Sequence, residues 1–149
     1  MWYSFPQIRP IKTDQHLPIT KRHNKTKHNQ RLHKVMVNQE RSRRTIAPLI
    51  RMQALDELAR THAQQMADED DVHHLNLDAL REALEGCNQN RLGVNVQRGT
   101  SIRSIHETMM KTLSNKNNIV DRRFTHMGMG TAIGKSGKLY LCRLSQGDP

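Results

Sequence analysis

The stretch from Leu92 to Thr131 constrains this chain more than any other. Within it, Ile102, Ile105, His106, Met109 and Leu113 recur at i, i+3, i+4, i+7 and i+11. That spacing lays one apolar stripe along a helix. A strand-like run, Leu92–Val96, precedes the helix, and a polar turn follows it. Phe124–Ala132 then reads as a strand, joined to a further strand, Lys138–Leu144, through Gly134-Lys135-Ser136-Gly137. Gly128 and Gly130 fall on one face of the first of these two strands, where bare backbone marks a bulge or lets a helix approach closely.

Upstream, the pattern is helical. Leu55, Leu58, Ala59, His62, Ala63 and Met66 share one helix face. Four consecutive acids, Asp68–Asp71, close that helix at the end where its macrodipole disfavours negative charge. They lack the ordered ligand spacing of a calcium loop and read as a solvated acidic turn. Asn76 is a candidate N-cap for a third helix with Leu77, Leu80 and Leu84 inward and Gly86 as terminator.

Net charge looks like a nucleic-acid signal until it is placed along the chain. The formal charge is +10, yet residues 1–45 hold 11 of the 24 Lys and Arg against only Asp14 and Glu40. The remainder is close to neutral. Residues 1–34 are rich in Lys, Arg, His, Asn and Gln and carry Pro6, Pro10 and Pro18. Such a composition cannot bury enough apolar surface to offset ordering entropy, which predicts a basic, disordered leader. Lys21, Arg22, Lys25, Lys27, Arg31 and Lys34 are its candidate polyanion contacts. Only Phe124 and Tyr140 are aromatic beyond residue 5, so no base-stacking platform is evident.

The cysteines, Cys87 and Cys142, are too few for a disulfide framework, and spacing alone does not say whether they pair. Cys142 alternates with Tyr140 and Leu144 on a strand and reads as a small buried hydrophobe. No run approaches the ~18 apolar residues of a membrane span. Trp2–Pro6 is too short, and too interrupted by Pro6, for a signal-peptide core.

The order of these parts resembles one family. Gly93-Val94-Asn95-Val96 stands where the CAP superfamily usually has Gly-Glu-Asn-Val or Gly-Glu-Asn-Ile. That superfamily includes cysteine-rich secretory proteins, antigen 5 and pathogenesis-related 1 proteins. Met109–Val120 follows its Trp-Met-x-Ser-x-x-His-Arg-x-Asn-Ile-Leu run. Asn38, Glu40 and Arg41, followed by Pro48-Leu49, resemble its first two helices. The resemblance spans most of Val35–Leu144 and sets a CAP (SCP-like) domain at 35–147. It implies an α/β fold, a three-layer α-β-α sandwich whose small, mainly antiparallel sheet is flanked by about four helices.

CAP domains typically gather two histidines and two acids in a central groove, where some members bind a divalent metal. Carried over by position, the first histidine is His74. Val94 replaces the strand glutamate, and Asn115 replaces the second histidine. The second acid falls near Lys111 or Thr112. Zinc catalysis generally needs three donors of the His, Cys or carboxylate type, so the inherited metal site is expected to be lost, with no cofactor. His73 and His106 are the secondary cavity candidates. Together with His74 they would have to rebuild the site for a metal-dependent hydrolase.

The leading expectation is therefore a non-catalytic binding domain whose groove takes a small hydrophobic, lipid or sterol, glycan or protein ligand. Polyanion or nucleic-acid binding through the basic segment is the alternative. The resemblance implies an extracellular setting that the N-terminus does not signal. A misassigned start codon or an intracellular paralogue would each account for the difference.

Overall fold

The computed structural model describes residues 19–84 and 90–148, with residues 19–24 as helical backbone alone. Helix α1 (Ile19–Arg43) leads into a two-residue strand β1 (Ile50–Arg51), and α2 (Gln53–Glu69) and α3 (Leu77–Ala83) follow. Then come β2 (Arg91–Gly99), α4 (Ile102–Lys111), α5 (Leu113–Val120), β3 (Phe124–Ile133) and β4 (Leu139–Gly147). The sheet order is β1-β3-β4-β2, with β1 parallel to β3 and the other pairs antiparallel. None of the described helices is long and apolar enough to cross a membrane.

Alternation along the strands divides the interior into two cores. Val94, Val96, Tyr140, Cys142 and Leu144 pack against Leu55, Ala59, Ala63 and Met66 of α2 and Leu80 of α3. On the other face, Met127, Met129 and Leu141 meet Met36 and Val37 of α1, Ile105 and Met109 of α4, and Ile119 of α5. The result is the expected three-layer sandwich. Gly128 and Gly130 show why α2 can lie so close. A Cβ built on Gly128 would sit 2.3 Å from Asp56 N, and one on Gly130 would sit 2.2 Å from Arg60 Cα.

The edge of β3 is closed piecemeal. Just past β1, Met52 N donates to Met127 O at 2.8 Å. Asp56 Oδ1 accepts from Met129 N at 2.9 Å, and Gln30 Nε2 donates to Met129 O at 3.2 Å.

Three expectations need correction. Residues 19–34 are helical, and Asn29 and His33 of that segment are buried. The buried side of α1 is partly polar (Asn29, His33, Arg41), so no apolar period betrayed it. Residues 1–18 of the expected leader lie outside the described residues, as do Gly86 and Cys87. The single helix expected after Thr100 is two, because Thr112 adopts extended backbone (φ −101°, ψ 121°) and resets the helical face. Leu113 is consequently 73% exposed. Leu77, in the first turn of α3, is also exposed, whereas Leu80 and Leu84 are buried as expected.

At the end of α2 the acidic run does stop the helix. Asp70 takes a left-handed conformation (φ 51°), and the cap is closed by Asp70 N donating to Ala67 O and Asp71 N donating to Met66 O.

Candidate functional site

His74 lies exposed in the loop between α2 and α3, beside Val72 and Leu75, which pack onto the α2-side core. His73 is half-buried, with Nε2 3.0 Å from Glu69 Oε2. Its carbonyl accepts a 2.7 Å bond from His62 Nε2, and the two imidazoles meet edge to face at 4.9 Å. His62, buried on the apolar stripe of α2, is thus spent on holding this loop.

Val94 lies on β2 and Asn115 on α5, and the two belong to different faces of the sheet. Val94 is buried in the α2-side core. Its strand neighbour Asn95 points the opposite way and donates from Nδ2 to Asn115 Oδ1 at 2.8 Å and Asn115 O at 3.0 Å. Asn115 is therefore a locked amide. From the same helix as Asn115, Asn118 Nδ2 donates to the Val94 backbone carbonyl at 3.2 Å.

His106 is buried on α4, with Nε2 3.5 Å from Glu40 Oε1 of α1. Burial pushes its pKa down, against the upward pull of Glu40. It lies in the layer opposite to His73 and His74, and the structure does not bring the three together. Among the described residues, no group of three His, Cys, Asp or Glu side chains is placed to hold a metal ion. Cys142 is fully buried, and burial pushes its thiol up to about 12, so it is no nucleophile at neutral pH.

Sequence reading missed a polar interior beneath α1. Arg143 of β4 is fully buried and donates from Nη1 to Asn95 Oδ1 at 2.9 Å and Ser145 Oγ at 2.8 Å. His33 is fully buried opposite the same sheet face. A charged residue among the apolar letters Tyr140-Leu141-Cys142-Arg143-Leu144 was the available signal. Arg41 plays a different part. It donates from Nε to Ala47 O (2.7 Å), from Nη1 to Ile119 O (3.0 Å) and Asp121 O (2.9 Å), and from Nη2 to Phe124 O (3.0 Å). One guanidinium thus ties α1 to the segment joining α5 and β3.

Several surface clefts border α1. A cleft of ≈ 360 Å³ between α1 and the β1–β3 edge is lined by Lys27, Arg31, Lys34 and Arg51 above Met127 and Met129, with Asp56 also in its wall and paired with Arg51. The three α1 cations stand at i, i+4 and i+7, one helix face. A broader groove of ≈ 920 Å³ is lined by Val35, Asn38, Ile46, Ala47 and Pro48, and Arg31 and Lys34 also border it. Lys25 lines a separate cleft with Arg103 of α4. Lys21 and Arg22 fall in the part of α1 described as backbone alone.

No curated protein sequence matches this chain. Its backbone is similar to an outer surface protein of Borrelia burgdorferi, with a TM-score of 0.72 and 10% identity over 83% of this chain and 95% of that one. It is also similar to an extracellular SCP-domain protein of Bacillus anthracis, with a TM-score of 0.67 and 18% identity, covering 87% of this chain but 44% of that one. Venom allergen-like protein 4 of Schistosoma mansoni gives a TM-score of 0.63 at 13% identity, covering 81% of this chain and 90% of that one. At such identities these likenesses establish the fold. The sequence model of the cysteine-rich secretory protein family, CAP, matches residues 35–144. The chain is a member of the CAP family.

Proposed function

We propose that this CAP domain binds its ligand without transforming it. The observation that carries this reading is the chemistry at the inherited groove positions. Val94 offers no lone pair and is embedded among apolar side chains. Asn115 is a neutral amide already committed to Asn95. His74 stands exposed, and an imidazole without a positioned partner is a weak basis for acid–base work. The uncharged, buried side chain at Val94 suits a neutral, apolar ligand such as a sterol, because a buried carboxylate in its place would oppose one.

Titration with a fluorescent sterol tests the reading. The wild-type chain retains it and returns it chemically unchanged, and Val94→Glu weakens retention at least about tenfold. Equal retention by the variant, or conversion of the sterol, would overturn the proposal.

A second reading has its own support. Lys27, Arg31 and Lys34, which composition assigns to a disordered leader, share one cleft with Arg51. That convergence suits a polyanion laid along α1. Removing residues 1–34 would now be a poor test, because it would also remove buried His33 and Asn29. The triple variant K27Q/R31Q/K34Q leaves the buried side of α1 intact. It should elute from heparin at lower salt and lower the slope of log affinity against log salt on duplex DNA by roughly 2 to 3. An unchanged slope removes the polyanion reading and leaves the sterol test untouched.

A further inference from the structure

The guanidinium of Arg143 is satisfied on one side only. Nη1 bonds Asn95 and Ser145. Nε and Nη2 have no hydrogen-bond partner among the described residues and no access to solvent. These two atoms are the donors of one edge of the planar group, the fork that grips a single anionic acceptor with two parallel bonds. No ion pair joins Arg143 to an acid among the described residues, and Arg41 adds like charge nearby. Glu40 is turned elsewhere, toward Arg43, Arg44 and His106.

His33 faces the same interior from α1 and feels the charges of Arg143 and His106. Both of its ring nitrogens are buried and without a partner among the described residues, as is Nδ1 of His106. A neutral imidazole always carries one N–H donor. The interior between α1, α4 and β4 therefore holds one cation with an open two-donor edge and a second, neutral donor. A buried charge without a counter-charge is strongly disfavoured.

We propose that this interior is a site for a small monovalent anion, chloride in physiological media, held on the Nε–Nη2 edge of Arg143 with His33 as an additional donor. The enclosure argues for an ion of that size, because Arg143 and His33 are both 0% exposed and leave no path for a ligand with an organic tail. The ion would complete the fold and does not depend on what the surface clefts bind.

Two measurements on the full chain test the site. Crystals soaked in bromide should show an anomalous peak within hydrogen-bonding distance of Nε and Nη2 of Arg143. Melting in sodium chloride against sodium gluconate, at equal ionic strength, should be higher in chloride by about 3 °C or more and should saturate. Arg143→Met should melt at the same temperature in both salts. Should that variant fail to fold, the wild-type bromide map decides. A water or no peak at the fork, with identical melting of the wild type in both salts, overturns the proposal.

Discussion

Arg41 and Arg143 differ by what surrounds them. Arg41, buried, reaches four carbonyl oxygens, an arrangement that uses four of a guanidinium's five N–H donors. Its loss leaves carbonyls at the α5–β3 junction unpaired, and bonds from a charged donor count for more than neutral ones. Arg41→Met should lower the unfolding free energy by about 3 kcal/mol or more, read from urea denaturation. Val94 and Asn115 are picked out in the sequence because the family's motif supplies their register. That Asn115 engages Asn95 was not legible, since the partner lies 20 residues away on a strand. Nor could spacing show that His73 and His106 fall in opposite layers. Separation across a sheet is a tertiary fact.

Helix α2 and strand β3 show what an element can declare in advance. The apolar stripe of α2 was readable residue by residue, and the paired glycines of β3 announced a close neighbour. Contact between the two is backbone on backbone at Gly128 and Gly130. Gly130→Ala should therefore cost about 2 kcal/mol or more and shift α2 outward, because neither main chain can retreat as a side-chain tip would. Thermal melting checks the first part and a crystal structure the second. Helix α1 was the failure. Its stretch before Lys34 buries Asn29 and His33, whose polarity gave the sequence a disordered look, so packing rather than periodicity decides its state.

Across the whole molecule, acid should loosen the fold. Burial, followed by the charges of Arg143 and His106, holds His33 well below its usual range, and burial also depresses His106. The unfolded chain takes up those protons near pH 6.5 while the native chain refuses them, so stability falls as pH drops below about 6.5. Burial draws Glu40 upward, but bonds from Arg44 and His106 outweigh it and leave the carboxyl below its ordinary value. The bond from Arg123 lowers Asp121. Those carboxylates stabilise above their unfolded pKa values and stop doing so as pH falls through the native ones, a second loss below about pH 4.5. Melting temperatures across pH 3.5–8 should fall in these two stages, and His33→Phe should flatten the upper one.

Met129 has its amide bound by Asp56 and its carbonyl by Gln30, next to the short clamp of Ile50 and Arg51. Side chains here finish what a longer border strand would otherwise supply. A docking peptide or a second copy would find that flank already taken between His126 and Met129, which turns strand-swapped assembly of this molecule toward the opposite margin, along β2.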